Sequence, residues 1–352
     1  MRAYAPRAVQ GGIGLAVLVV LVLAPLLFSD YWVDSILTQS LLFGIAAASL
    51  IFLSAYGGMV SLAQTALMGI AGFIVGNMVT KGGAGGETKG LTLGWDPTLS
   101  LVLAIVITTA IGLVFGLLAA RSAGIYFLML TLTFAVIANY FFGQVTLVSG
   151  FSGIAGIDNY TPPFVGDIVA HDDKLYYIAL GVALVVYALI RYVVRTPFGL
   201  TLQGVRDDPI RMSSLGYNVP LHRTLAFGFA AFIGSLAGVL YVWWQGQIAP
   251  PDIGLNATIE LLVMAVLGGL WRVEGAWLGA LAFIVINNYV RDVEVPGVGG
   301  SFNTIIGLIF LAIVVVSPGG LMGLWDRISQ LALSRRRPGA GRVAATRTGA
   351  GS

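Results

Sequence analysis

The chain has 352 residues, of which 57% are hydrophobic and 10% charged, and its formal net charge is +3. A soluble domain usually carries about 25% charged residues, so the composition excludes a soluble protein with charged surfaces and predicts an all-α, polytopic membrane protein. The chain contains no cysteine and two histidines. Thiol sites, Cys–metal sites and a histidine metal cluster are therefore excluded.

Long apolar runs recur along the chain, each close to the ~20 residues that cross a ~30 Å hydrocarbon core. The first run follows two arginines, as in a signal peptide, but it is long and lacks an A-x-A cleavage pattern. We therefore expect a retained span. In chain order, the predicted spans are 11–28, 35–55, 58–79, 98–120, 123–147, 175–194, 224–244, 256–270, 275–290 and 303–322. The eighth and ninth are short and are also compatible with one re-entrant pair.

Lysines and arginines predict the orientation of these spans. With an internal N-terminus and ten spans, fifteen basic residues fall inside and four fall outside. We expect three regions: an N-terminal span and outer turn at 1–34, a transmembrane domain at 35–325, and a basic, disordered cytoplasmic tail at 326–352. The tail is expected to contact anionic lipid headgroups.

Polar or irregular positions inside the apolar runs are candidate sites. Gly57 and Gly58 disfavour a continuous helix, and they mark either an interfacial turn or a break inside the membrane that lines a cavity. Thr131 and Asn139 either line a translocation path or form hydrogen bonds between helices. Glu260 is either a functional intramembrane carboxylate or an acid in a first helical turn, where it would interact with the helix dipole.

The segment 195–223 is a long polar interruption with several arginines between the sixth and seventh spans. Thr196–Gly199 predicts a turn, because proline fixes φ and glycine permits positive φ. Two short helices, 199–207 and 209–215, are expected to follow, with Asp208 as the N-cap of the second. The alternative is a positively charged loop that only fixes the topology.

Six stretches occur in order between about 35 and 325: Gly57–Phe73, Gly124–Phe134, Ser149–Ile157, Thr196–Val219, Ile259–Gly279 and Ser317–Leu324. In combination they resemble the LivM-type permease subunits of high-affinity branched-chain amino acid ABC importers, within the LivH/LivM family. Permeases for urea and short-chain amides resemble the same family, so their cargo is an alternative. An ion-coupled secondary transporter is a further alternative, although the predicted spans offer few titratable residues for coupling.

The resemblance implies an ABC importer permease of the type II, vitamin B12 permease-like kind, with no catalytic or metal site of its own. A second permease subunit (a heterodimer or homodimer), two cytoplasmic ATPases that bind ATP and Mg, and an external or periplasmic solute-binding protein would complete the importer. The chain contains no G-x-x-x-x-G-K-[ST], which agrees with a separate ATPase. The implied location is the bacterial inner membrane, with cytoplasmic termini, contact with lipid and no nucleic acid partner.

The resemblance also implies two groups of functional residues. The segment 195–223 resembles the element that docks onto an ATPase. The residues expected to couple it are Arg206, Asp207, Asp208, Arg211, Ser213, Ser214, Leu215 and Gly216. The cargo would be an amino acid with a small aliphatic side chain, held by apolar walls and a few polar groups. The candidate path residues are Gln64, Tyr126, Thr131, Asn139 and Glu260.

Overall fold

A computed structural model describes residues 19–29, 31–81, 90–158, 160–162, 172–290, 307, 311 and 319–323. The described chain is mainly helical. In order, the main helices are α1 (19–27), α2 (Trp32–Gly57), α3 (Gln64–Val79), α4 (Pro97–Ala119), α5 (Ile125–Gln144), α6 (Asp172–Arg195), α7 (Pro197–Asp207), α8 (Pro209–Ser214), α9 (Val219–Gln245), α10 (Leu255–Gly268) and α11 (Gly275–Val290). Two short strands, β1 (Ile154–Ala155) and β2 (Gln247–Ile248), pair antiparallel.

Five of the described helices are long and apolar enough to cross a membrane, namely α2, α4, α5, α6 and α9. The apolar helices α3, α10 and α11 are shorter. The predicted third span is wrong at its start, because α3 begins at Gln64 rather than at residue 58. The basic tail lies outside the described residues, as do most of the predicted tenth span and residues 11–18 of the first span. The count of ten spans therefore stays a prediction.

Helices α2 and α9 form the centre of the fold and run antiparallel. The Phe52 ring packs edge-on against Phe229 at a centroid distance of 4.9 Å, and Phe43 packs similarly against Tyr241 at 5.9 Å. Both helices are buried along most of their length. A helix that is apolar on all sides has no surface suited to water, so burial among other helices is the expected place for it.

Two groups of helices, α3 with α4 and α10 with α11, surround this centre in inverted order. In the first group, α3 packs parallel to α9, and α4 packs antiparallel to α9. In the second group, α10 packs on α2, and α11 packs antiparallel to α2, where the Tyr31 hydroxyl donates to Asn288. The fold therefore contains an inverted repeat, in which α2–α3–α4 and α9–α10–α11 have the same helix packing but run in opposite directions. Inverted repeats of this kind are frequent in transporters, which place their substrate sites between the repeats.

Glycines allow these helices to approach closely. A Cβ atom on Gly238 of α9 would lie 1.9 Å from the Met68 carbonyl oxygen of α3. On Gly112 of α4 it would lie 2.1 Å from the Ala231 side chain, and on Gly279 of α11 it would lie 2.0 Å from a backbone carbonyl of α10. In the sequence each of these glycines belongs to a GxxxG pair, at 112 and 116, 234 and 238, or 275 and 279. That spacing predicts close packing of membrane helices, and the contacts confirm the prediction.

Candidate functional site

The first break in the helices lies between α2 and α3. Gly58 ends α2 with a left-handed φ of 65°, and α3 does not begin until Gln64. The Ser49 hydroxyl of α2 donates to the Gln64 side-chain carbonyl at 3.0 Å. Ser49 precedes Gly57 by eight residues, so α3 begins about 12 Å along α2 from the end of that helix.

The glycine pair therefore lies at the end of α2, and α3 begins about 12 Å back along that helix. The 26 residues of α2 extend about 39 Å, which exceeds a ~30 Å hydrocarbon core, so the pair is expected near a membrane surface and the start of α3 deeper. Both hypotheses for the glycine pair, the interfacial turn and the break that lines a cavity, stay open. Irregular backbone at membrane depth needs protein partners. The Leu62 amide donates to the Thr131 hydroxyl at 3.1 Å, and the Ala63 amide donates to Ser61 at 3.2 Å.

A second break, between α9 and α10, mirrors the first. Gly246 ends α9 with a left-handed φ of 69°, and a 3₁₀ turn at Pro250–Ile253 precedes α10. The turn descends along α3, because a Cβ on Gly69 would lie 1.7 Å from the Ile253 side chain. Met68, next to Gly69 in α3, contacts Gly238 of α9. Gly238 lies seven residues, or about 10 Å, before the end of α9. Helix α10 therefore also starts well back along the preceding long helix, as α3 does.

Helix α5 contacts both breaks and carries a polar residue at each. Thr131 binds the amide before α3, as described above. Asn139 lies eight residues further along, about 12 Å away, and its side-chain nitrogen would be 3.1 Å from a Cβ on Gly254, the residue before α10. The structure thus brings two of the sequence-predicted path residues to the two helix starts.

The five predicted path residues differ in their surroundings. Gln64 and Thr131 are fully buried, and the Gln64 side-chain nitrogen has no hydrogen-bond partner among the described residues. Asn139 is half-buried. Tyr126 is 77% exposed near the start of α5, and it is not brought to either break. Glu260 is exposed and lies in the second turn of α10, so the hypothesis that places it in the first helical turn is wrong.

An open cavity with a volume of about 340 Å³ lies between α5 and the start of α10. It is lined by Leu132, Ala135, Val136, Asn139, Tyr140 and Leu255. The five residues from α5 recur at intervals of three and four, so they form one face of that helix. The arrangement combines apolar walls with an amide and a phenol.

Sequence analysis missed Asp252, which lies in the turn before α10. Its carboxylate accepts from the Ala249 amide at 2.8 Å and lies close to the Tyr241 side chain. The carboxylate therefore fixes the turn that brings the chain back toward the second break. Two consecutive prolines followed by an acid, directly after a long apolar run, are the sequence signal that was available.

The predicted pair of short helices in the polar segment is present as α7 and α8. Helix α7 begins at Pro197 with Thr196 as its N-cap, so the turn predicted over Thr196–Gly199 is wrong. A proline is tolerated in the first helical turn, where its missing amide has no partner to lose. The predicted N-cap of α8 is confirmed, because the Asp208 carboxylate accepts from the Arg211 amide at 2.9 Å.

Helix α7 is anchored to the central helix through Arg206. The guanidinium group donates to the Ala55 carbonyl in the last turn of α2, where carbonyls lack partners within the helix. The Arg206 stem lies against Gly58, because a Cβ there would be 2.6 Å from Cγ of the arginine. The same guanidinium binds the Asp207 carboxylate at 2.8 Å. Arg206, predicted from sequence as a docking residue, thus binds within this chain at the edge of the first break.

Helix α8 projects away from the bundle and contains no buried residue. Ile210 is 79% exposed and Leu215 is 65% exposed, and Arg211 lies beside them on the surface. Ser213, Ser214 and Gly216 are exposed as well, and Gly216 has a left-handed φ of 89°. Apolar and cationic side chains therefore share this projecting surface.

A further charged cluster joins α6 to the loop between α10 and α11. The Glu274 carboxylate accepts from the Arg191 guanidinium at 3.3 Å and from the Tyr187 hydroxyl at 2.9 Å. The guanidinium also lies 5.9 Å from the Tyr187 ring centroid. From the sequence alone, Arg191 is only a residue near the end of the predicted span 175–194. In the described part of the chain, no three His, Asp or Glu side chains are arranged to hold a metal ion.

Comparisons with known proteins identify the family of this helical, membrane-spanning type of chain. A family described as "Branched-chain amino acid transport system / permease component" matches residues 32–317. A probable branched-chain amino acid transport permease protein LivM of Methanocaldococcus jannaschii is 25% identical over 245 residues, which cover 64% of this chain and 67% of the relative. The high-affinity permease protein LivM of Salmonella typhimurium is 26% identical over 216 residues, covering 54% of this chain and 50% of the relative.

A third relative differs in its name. The nucleoside ABC transporter permease protein NupC of Lactococcus lactis is 30% identical over 119 residues, which cover 33% of this chain and 37% of the relative. The chain thus spans about two thirds of the length of the first relative and half of the second. No solved structure matches the chain.

Proposed function

Since the chain belongs to the branched-chain amino acid transport system permease component family, matched over residues 32–317, we propose that it is the transmembrane subunit of an ATP-driven importer. The cargo is a branched-chain or related small amino acid, delivered by an external solute-binding protein. Two ATPase subunits bind ATP and Mg, and a second permease subunit completes the path. The importer lies in a bacterial inner membrane, with the termini of this chain in the cytoplasm.

The pair of mirrored helix breaks carries this proposal. A permease of this kind needs polar groups at membrane depth to hold cargo, together with surrounding helices that rearrange as rigid bodies. The starts of α3 and α10 supply unpaired backbone amides at that depth, because the first amides of a helix have no carbonyl within it. Helix α5 adds Thr131 at one start and Asn139 at the other. Alternating access would then consist of motion of one repeat against the other.

The contacts of α7 support a route from an ATPase to the path. Helix α8 exposes Ile210, Arg211 and Leu215 as a docking surface. Helix α7 packs against α2, α6 and α9, and Arg206 binds the end of α2 beside the first break. A displacement of α8 by an ATPase would therefore reach the first break through one short rigid helix.

The experiment is ATP-dependent uptake by the reconstituted importer. The chain is co-expressed with its neighbouring permease, ATPase and binding-protein genes, and the complex is placed in proteoliposomes. We expect uptake of radiolabelled L-leucine that requires ATP on the side of the membrane where the ATPases lie. Unlabelled L-valine is expected to inhibit this uptake. Because one relative is a nucleoside permease, uridine is tested as a rival cargo, as are urea and acetamide. ATP-dependent uptake of a rival with none of leucine, or leucine uptake that needs an ion gradient and not ATP, would contradict the proposal.

A further inference from the structure

The cavity between α5 and the start of α10 has features of a small-molecule site. Its volume of about 340 Å³ lies at the low end of the ~300–1,000 Å³ that ligand pockets occupy. Four of its six lining residues are apolar, and the others are Asn139 and Tyr140. None of the six is charged. A small neutral ligand with one apolar part and one hydrogen-bonding end fits such a lining.

Polar groups converge on one end of this cavity. Within the part of the chain that the structure describes, the Asn139 amide makes no hydrogen bond, although it lies beside Gly254. The first amides of α10, beginning at Leu255, have no carbonyl within the helix to bind, and they carry its partial positive charge. A carboxylate placed here would meet both sets of donors.

Two acids lie near this start in sequence without lining the cavity, namely Asp252, three residues before Leu255, and Glu260, five residues after it. Their negative charges disfavour a ligand with a net negative charge. The combined pattern suits a zwitterion with an aliphatic side chain, and it suits an acidic amino acid poorly.

We propose that this cavity is a subsite for a neutral aliphatic amino acid in transit, with its side chain against Leu132, Val136 and Leu255 and its polar end at Asn139. The inference rests on the proposed function and names where that cargo lies. A lipid chain in the same place would leave the Asn139 amide and the amides of the helix start facing hydrocarbon, without the partners that polar groups need there. An amino acid satisfies them.

The absence of cysteine from the chain permits a direct test by single-cysteine accessibility. Val136→Cys and Asn139→Cys place a thiol in the cavity lining. Ile137→Cys is the matched control, because Ile137 is on the same helix and 55% exposed but does not line the cavity. The complete importer in nanodiscs is treated with a small methanethiosulfonate reagent, and modification of this chain is followed by mass.

We expect L-leucine, at about ten times its half-saturating concentration, to slow modification at 136 about tenfold, and to slow modification at 139 by a smaller factor, because cysteine there removes the proposed polar contact. Modification at 137 is expected to stay unchanged, and L-aspartate is expected to protect none of the three positions. Equal effects of leucine at all three positions, or no effect at any, would overturn the subsite. So would thiols at 136 and 139 that react in the isolated chain but not in the ligand-free importer, because a lipid or a partner helix would then fill the cavity.

Two further measurements keep the outcomes distinct. Leu132→Cys supplies another lining position, judged by the same criteria, in case a first variant fails to assemble. Uptake by the unmodified importer is measured in parallel. An importer that takes up no L-leucine with ATP contradicts the proposed function, whereas leucine uptake with unprotected lining thiols contradicts only the subsite.

Discussion

Replacing Arg206 by alanine tests whether this residue anchors α7 to the central helix. The substitution removes a hydrogen bond from a charged donor to the Ala55 carbonyl, and such bonds contribute about 1.5–3 kcal/mol. The side chain is 29% exposed, so water replaces part of the loss and favours the lower half of that range. The neighbouring ion pair adds little, because the Asp207 side chain is 67% exposed and exposed pairs contribute about 0–1 kcal/mol.

The expected loss is therefore about 2 kcal/mol of unfolding free energy, which for a chain of 352 residues corresponds to a fall of about 3 °C in the apparent Tm. The purified complex contains tryptophans in this chain, so intrinsic fluorescence during heating measures the shift. Because the anchor lies at the first break, we also expect ATP hydrolysis to persist while leucine uptake falls.

Arg211→Ala is the matched control. Arg211 is exposed on α8, and exposed substitutions away from special contacts usually change stability by less than about 0.5 kcal/mol. Its Tm is expected to stay close to that of the unchanged protein. If both alanine variants lower the Tm equally, or if Arg206→Ala leaves it unchanged, the anchoring contact is not the one that stabilises this end of α2.

Three further predictions concern the helix breaks, the packing and the projecting helix. Thr131→Val leaves the Leu62 amide without its acceptor and should lower the unfolding free energy by about 1–3 kcal/mol. Thr133 is exposed, and its hydroxyl bonds within its own helix, so Thr133→Val should leave the thermal melt unchanged. Gly238→Leu should abolish folded expression, because its Cβ meets a carbonyl of α3, while Gly181→Leu has no atom within 4 Å and should express normally. Gly216→Pro should uncouple ATP hydrolysis from uptake while the protein still inserts, since its left-handed φ is closed to proline; unchanged uptake would return the segment to the topology hypothesis.

Local features were predictable where one residue determines the structure. Asp208 before Pro209 gave the N-cap and first residue of α8, because capping depends on residues within one turn. The glycine spacings gave the close helix contacts for the same reason: a missing side chain is visible in the sequence. The two-glycine signal at Gly57 and Gly58 likewise marked a break.

The length of that break, and so the residue at which α3 begins, was not predictable. Residues 59–63 are mostly apolar and read as the first turn of a span, whereas the structure shows irregular backbone up to Gln64. Its position depends on the hydrogen bond between Ser49 and Gln64 and on Thr131 from a third helix. These contacts join residues far apart in sequence, and no local pattern records them. The contact of Arg206 with the end of α2 was not predictable for a related reason, because a charge on a short helix does not show whether its partner is internal; its role in coupling to an ATPase stays a prediction.

The two breaks are held by different surface elements, and this difference bears on the proposed cycle. The first break is held by α7 through Arg206. At the second, Gly246 accepts from the Ile157 amide at 3.0 Å, and β1 pairs with β2 directly after it. Helix α7 belongs to the segment that carries the proposed ATPase surface, whereas β1 follows a loop in which Phe151 is 81% exposed. An inverted repeat gives each face of the protein its own break, so an ATPase at one face and a binding protein at the other would each act on a different half-helix. The cavity between α5 and α10 lies beside the second break, where cargo released from a binding protein would arrive first.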